Sequence, residues 1–194
     1  MKTAVPAILS LVVLGGAAMA AHVPTRDQPI EKAFARGGRI GFRLGAGDYR
    51  ISGATEDKIR VTWQVDKGDP GDVQVSADVS GTTAIVRTTS HHHSIRYSID
   101  VPSRSDVEVD LSAGDIQVRG IEGSKRVESW AGDVIIDVGK AEQYRQVDAS
   151  VRAGDISAAP FNQSTGGLFR SVHWTGKGPY SLTVRLFAGD LTLK

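Results

Sequence analysis

The sequence predicts an all-β protein, arranged as a single-stranded β-helix or β-solenoid-like roll with coils of about 20 residues. Three observations lead there. Apolar and polar residues alternate along many short runs, as in KIRVTWQV, DVEVDL and YSLTVRLF, and a period of two puts successive side chains on opposite faces of a strand. The tripeptide Ala-Gly-Asp followed by an apolar residue recurs five times, in LGAGDYRI, LSAGDIQV, SWAGDVII, VRAGDISA and LFAGDLTL. Glycine, present 22 times, recurs between the alternating runs rather than inside them.

The spacing of the tripeptide selects among all-β architectures. Gly114, Gly132 and Gly154 are 18 and 22 residues apart, and the next interval, to Gly189, is 35, close to two such periods. A period near 20 suits stacked coils that bury their inward residues against one another. The alternative, a β-sandwich built from hairpins, would set turn signals about every 8–12 residues with no reason to repeat one tripeptide.

Along the chain, residues 1–20 read as a secretory signal peptide: a basic start at Lys2, a short apolar stretch, and the A-x-A cleavage signal Ala18-Met19-Ala20. The apolar stretch is too short to span a bilayer, and no integral membrane segment is expected once it is removed. Residues 21–37, with Pro24, Pro29 and several charges, form a partly ordered lead-in. Residues 38–194 form one domain, in which 38–100 are less regular strands, either a meander or degenerate coils, and the tandem repeats are clearest over 99–194. KAEQYRQV, Lys140 to Val147, is compatible with a turn of helix, and DKGDPGD, NQSTGG and TGKGP are loops.

Each Ala-Gly-Asp copy reads as a structural corner: Gly47 and Asp48, Gly114 and Asp115, Gly132 and Asp133, Gly154 and Asp155, Gly189 and Asp190. Glycine supplies the positive φ of a sharp turn, and the Asp side chain accepts hydrogen bonds from backbone N–H groups just beyond it. Alanine is small enough for crowded corners. The apolar residue after Asp points the outgoing strand inward.

Removing residues 1–20 takes away Lys2 alone, so 22 basic residues balance 22 acidic ones. A nucleic-acid partner is disfavoured by that balance. No cysteine is present, which excludes disulfides, thiolate metal sites and a thiol nucleophile, and directs the reading to bacterial export. No G-x-S-x-G, H-E-x-x-H or phosphate-loop pattern occurs, so no catalytic residue, no cofactor and no enzyme activity are expected.

The stretch IDVPSRSDVEVDLSAGDIQVRGIEGSKRVESWAGDVIIDV resembles the bacterial putative adhesin family, domains of unknown function with a Val-Pro lead-in, an alternating strand and recurring small-Gly-Asp-apolar corners. The resemblance runs from about Ile99 to Lys194. It implies a β-solenoid or β-roll exported to the cell envelope, with no established enzymatic activity. Relatives often carry Asn or Ser where this chain has alanine before glycine.

Other groups of residues are candidates for chemistry or for the core. A ladder of the five corner carboxylates would bind calcium only if carbonyls completed a shell of about six to eight oxygens, and the G-G-x-G-x-D pattern of calcium-binding repeats is missing. His91, His92 and His93 place two imidazoles on one strand face, without an evident third or fourth metal ligand. Asp106, Glu108 and Asp110 form an acidic strip opposite inward valines. Trp63 and Trp174 share faces with valines and belong to the core. Trp130 sits in the spacer position before the corner, filled elsewhere by Gly45, Ser112, Arg152 and Phe187, and is the candidate surface contact.

The function expected is that of an exported, non-enzymatic envelope protein that presents a β-solenoid surface for binding or adhesion, in the periplasm or at the cell surface. Its partner would be an envelope polysaccharide or an envelope protein. The alternatives are an envelope-stress sensor or regulatory scaffold and, second, a carbohydrate-active β-helix enzyme, which would need an acid/base pair in one groove.

Overall fold

Alternation makes the strands, and the five Gly-Asp corners carry the chain from one sheet into the other. The computed structural model describes residues 29–66, 73–89 and 94–194. The signal peptide read at residues 1–20 and the cluster His91, His92 and His93 lie outside the described residues.

The fold is all-β, with two open, mixed sheets. The chain repeatedly runs as a strand in one sheet, sheet B, and then as a strand in the other, sheet A. These rungs are β2 (Arg39–Ala46) with β3 (Asp48–Ala54), β6 (Thr83–Thr89) with β7 (Ile95–Pro102), β8 (Asp106–Ala113) with β9 (Ile116–Arg119), β10 (Lys125–Ala131) with β11 (Val134–Ile136), β12 (Tyr144–Ala153) with β13 (Ile156–Ala158), and β16 (Tyr180–Ala188) with β17 (Leu191–Leu193). All six stack in parallel.

An antiparallel rung closes each end of the stack. At one end β4 (Lys58–Val65) pairs with β7 and β5 (Gln74–Ser80) pairs with β6; at the other, β14 (Gln163–Thr165) pairs with β13 and β15 (Leu168–Thr175) pairs with β12. The chain also enters the sheet earlier than its charge-rich start implies: β1 (Ile30–Ala33) pairs with β4, and Phe34 is buried. Of KAEQYRQV, only Ala141–Gln143 forms a 3-10 turn, and the rest opens β12.

Inward side chains from both sheets form one core, including Ile40, Phe42 and Val109 from sheet B and Ile51, Ile116 and Val134 from sheet A. The order of the stack differs from the order of the chain. Across sheet B the strands run β15, β12, β16, β10, β8, β2, β6, β5, so the last rung, β16–β17, enters between two earlier ones. The 35-residue interval before Gly189 thus holds the returning antiparallel rung β14–β15 instead of a second coil. The arrangement combines parallel rungs joined at corners, as in a roll, with two open sheets, as in a sandwich.

Candidate functional site

The five corners line up as a column in the order Asp48, Asp115, Asp133, Asp190, Asp155. Their glycines have φ of +152°, +111°, +112°, +131° and +139° in that order, a region that L side chains rarely adopt. A methyl group on Gly114, Gly132, Gly189 or Gly154 would overlap the carbonyl oxygen of the neighbouring rung's glycine. The corner therefore needs glycine for two independent reasons, backbone angle and crowding.

The Asp side chains act between rungs rather than within one turn. Oδ1 of Asp115 accepts the N–H of Asp133 at 2.9 Å, Oδ1 of Asp133 that of Asp190 at 2.9 Å, and Oδ1 of Asp190 that of Asp155 at 2.9 Å; Asp48 accepts Asp115 at 3.5 Å. The ladder ends where Asp155 accepts the N–H of Gly167, at the corner of the antiparallel closing rung, 3.1 Å away. Backbone bonds run alongside, from Gly132 N–H to Ala188 O and from Val134 N–H to Asp190 O. Calcium was the alternative use of this column; one oxygen of each carboxylate is already engaged by an N–H. Among the described residues, no three His, Asp or Glu side chains are grouped to hold a metal ion.

The outer face of sheet B carries the exposed aromatic residues. Register places the five spacer residues in one row, Arg152, Phe187, Trp130, Ser112, Gly45. The Trp130 and Phe187 rings stack with centroids 4.2 Å apart and planes within 5°. The Arg152 guanidinium lies 5.5 Å from the centre of the Phe187 ring, a cation–π contact. Trp130 is 64% exposed and Phe187 38%. At the closing rung, Leu168 and Phe169 are 65% and 77% exposed, and Phe169 has a φ of +52°, uncommon for an aromatic residue. Large apolar side chains held at the surface beside one another make this face the candidate for binding.

Next to this row the acidic strip is met by bases from both neighbouring strands. Asp110 pairs with Arg43, Glu108 stands opposite Arg126, and Asp106 accepts the Ser124 N–H at 2.8 Å. At the far end of sheet B a groove of about 590 Å³ adjoins Arg39, Asp106, Arg126 and Arg145. Lys125 beside it is buried, donating to the Tyr144 hydroxyl at 2.7 Å and the Gly123 carbonyl at 3.1 Å. Burial pushes its ammonium down to about 8, against the opposing pull of Asp137, Asp106 and Glu122. A second groove, of about 710 Å³, lies over sheet A between Arg50, Thr62, Arg96 and the corner carboxylates; Arg96 there forms a two-pronged pair with Asp66.

Trp63 and Trp174 are both half-buried against the core, Trp174 with its ring 5.0 Å from that of Phe161. Sequence reasoning named Trp130 but not its partnership with Phe187 and Arg152. The signal was the spacer position itself, read in stacking order instead of chain order. Nothing in the sequence announced Lys125 as buried, since it opens a run, KRVESW, whose inward set mixes Lys, Val and Ser.

No protein-family model matches the sequence, and no curated protein matches it. Among solved structures, the fold is similar to that of a putative cell adhesion protein from Clostridium sporogenes ATCC 15579, with a TM-score of 0.53 at 13% identity over 87% of this chain and 99% of that one. A putative adhesin from Bacteroides fragilis NCTC 9343 covers 85% of this chain and 96% of its own at 10% identity, with a TM-score of 0.30. One from Parabacteroides distasonis ATCC 8503 covers 86% and 96% at 10% identity, with a TM-score of 0.26. The last two superpose too loosely to relate individual strands. The likeness to the clostridial structure is one of fold, since at that identity no side chain carries over.

Proposed function

We propose that this chain is an exported, non-enzymatic binding module of the bacterial envelope that holds an envelope polysaccharide or envelope protein against the outer face of sheet B. The observation that carries the reading is the exposed Trp130–Phe187 stack with Arg152, placed on the outer face of strands held in register by the backbone ladder. Aromatic rings fixed at the surface lose little conformational entropy on contact and bury large area. The fold shared with the clostridial putative cell adhesion protein supports adhesion as the role, and the signal-peptide pattern of residues 1–20 supports export.

What favours binding over catalysis is the state of the carboxylates. Those at the corners each accept a backbone N–H, and those of the acidic strip are paired with or stand opposite arginines or bond backbone, whereas an acid/base pair needs groups free to exchange protons in one concave place. No helix among the described residues is long and apolar enough to cross a membrane. The test is capture of envelope glycans and proteins on the purified protein. Trp130→Ala with Phe187→Ala should lose most of the captured material while the unfolding free energy falls by only about 1–2 kcal/mol, the size of the lost stack, leaving the domain folded. Equal capture by the double variant would remove sheet B's face from the proposal.

A further inference from the structure

We infer that the row on sheet B contains a stacking slot for a neutral pyranose ring, walled by the free face of Trp130, floored by Ser112 and Gly45, and flanked by the Asp110–Arg43 ion pair. The inference rests on the binding reading above and narrows it to one ligand class and one place.

The geometry of the stack leaves the slot open. The ring spacing of 4.2 Å is close to the strand spacing of about 4.8 Å, so the rings stand across the strands with their faces along the stack. Phe187 has Arg152 on one face and Trp130 on the other, and its exposure falls to 38%. Trp130 has Phe187 on one face, and its 64% exposure reflects the other. On that other side the row continues with Ser112 on β8 and Gly45 on β2, whose side chains are a hydroxymethyl group and a hydrogen. The aromatic ladder therefore stops against a floor two strands, or about 10 Å, wide.

The floor is also fixed. The Gly45 N–H donates to Thr88 Oγ1 at 3.1 Å, and its carbonyl accepts from the Tyr49 hydroxyl at 3.2 Å. Two residues back on the same face of the same two strands stand Asp110 and Arg43, joined to each other and both exposed enough to accept a further partner.

A pyranose ring matches this set. One of its faces is made of C–H bonds and packs on an aromatic ring, while its rim carries hydroxyls that planar carboxylate and guanidinium groups meet with paired hydrogen bonds. An aromatic side chain from a protein would stack as well but would offer nothing to Ser112, Asp110 or Arg43, whose desolvation would go uncompensated. The ion pair is neutral as a unit, which favours an uncharged sugar over an acidic or amino one.

The test titrates the full chain with two neutral probes, chitotetraose and cellotetraose, reading tryptophan fluorescence and heat of binding. A saturable shift with at least one probe is expected. Ser112→Phe, which would place a ring of the protein's own in the slot, should weaken binding at least tenfold with the unfolding midpoint unchanged, and Asp110→Ala should weaken it less. Failure of both probes to saturate at about 10 mM, an affinity weaker than any useful contact, would overturn the ligand class. Loss on Trp130→Ala with full binding by Ser112→Phe would overturn the slot while leaving the sheet B binding face standing. Saturation of the same site by N-acetyl-tryptophanamide, blocked by Ser112→Phe, with no response to sugars, would reassign it to a protein side chain.

Discussion

Replacing Gly132 by alanine tests the corner column at its centre. Its φ of +112° places a non-glycine residue under strain of about 1–3 kcal/mol. The added methyl would also overlap the carbonyl oxygen and carbon of Gly114. Relief requires the β10–β11 rung to move off β8–β9, which weakens Gly114 N–H to Ala131 O at 3.0 Å, Ile116 N–H to Asp133 O at 2.9 Å and Asp133 N–H to Asp115 Oδ1 at 2.9 Å. At about 0.5–1.5 kcal/mol net for each bond, partial loss of the three raises the expected destabilisation to about 2–5 kcal/mol. That is a large share of the roughly 5–15 kcal/mol that holds a domain folded. Gly37→Ala is the control, because Gly37 has a φ of +81° with nothing within 4 Å of the position a Cβ would take, and it should lose only about 1 kcal/mol. Guanidinium titrations read by tryptophan fluorescence, compared at equal slope, give both values. A loss at Gly132 no greater than at Gly37 would show that the column is not crowded and that the corner argument is wrong.

Two further outcomes follow from the same geometry. Asp133→Asn keeps an oxygen for the Asp190 N–H and should change stability by less than about 0.5 kcal/mol, while Asp133→Ala should lose about 0.5–1.5 kcal/mol; in the same titrations, a larger loss for Asn than for Ala would contradict the cross-rung role. Lys125 holds its proton up to 10.5 when the chain is unfolded and only to about 8 when buried, so between those values the unfolded state binds more protons and stability rises with pH. The span corresponds to about 3 kcal/mol in all, fully subtracted below pH 8. Unfolding free energies measured from pH 8 to 10 should climb in the parent and stay flat in Lys125→Met; the window stops there because Tyr49 and Tyr144, pushed well upward by burial, bring the opposite slope above 10. A flat parent profile would refute the buried-ammonium argument.

The strands and corners were legible because each is a local rule. Alternation in KIRVTWQV or DVEVDL is set by the pleat, and a glycine with positive φ is set by its own turn. What the residues could not display is which rung lies beside which. Five of the six parallel rungs turn at the same Ala-Gly-Asp, so each of these offers its neighbour the same carbonyl, N–H and carboxylate, and the corner alone permits any order among them. The Asp bond was expected within one turn and instead crosses to the next rung, a partner defined only by stacking. The aromatic row shows the same limit: Trp130 and Phe187 are far apart in the chain and become neighbours because β16 lies against β10. Lys125 escaped notice because burial there depends on the Tyr144 hydroxyl arriving from β12, two strands away across sheet B.

The out-of-order rung has a consequence for folding that a sequentially stacked coil would not share. Deleting residues 180–194 removes β16 and β17, whose Leu182, Val184, Leu186, Leu191 and Leu193 are all buried. At about 1.5–3 kcal/mol for each such side chain, their loss alone reaches about 7–15 kcal/mol, comparable to the whole stability of a domain. In a stack that followed the chain, removing the last coil would uncover one face and leave the remainder intact. Here β16 bonds to β10 on one side and β12 on the other, so the deletion opens the middle of sheet B, and removal of β17 separates β11 from β13 in sheet A. The rungs β12–β13 and β14–β15 are then cut off from the rest. The shortened chain should show no cooperative thermal transition by near-ultraviolet circular dichroism, although the deletion is only terminal in sequence. A cooperative transition retaining most of the native signal would mean that β10–β11 and β12–β13 can close on each other without the last rung, and that the shared corner, rather than the chain's threading, decides which rungs are neighbours.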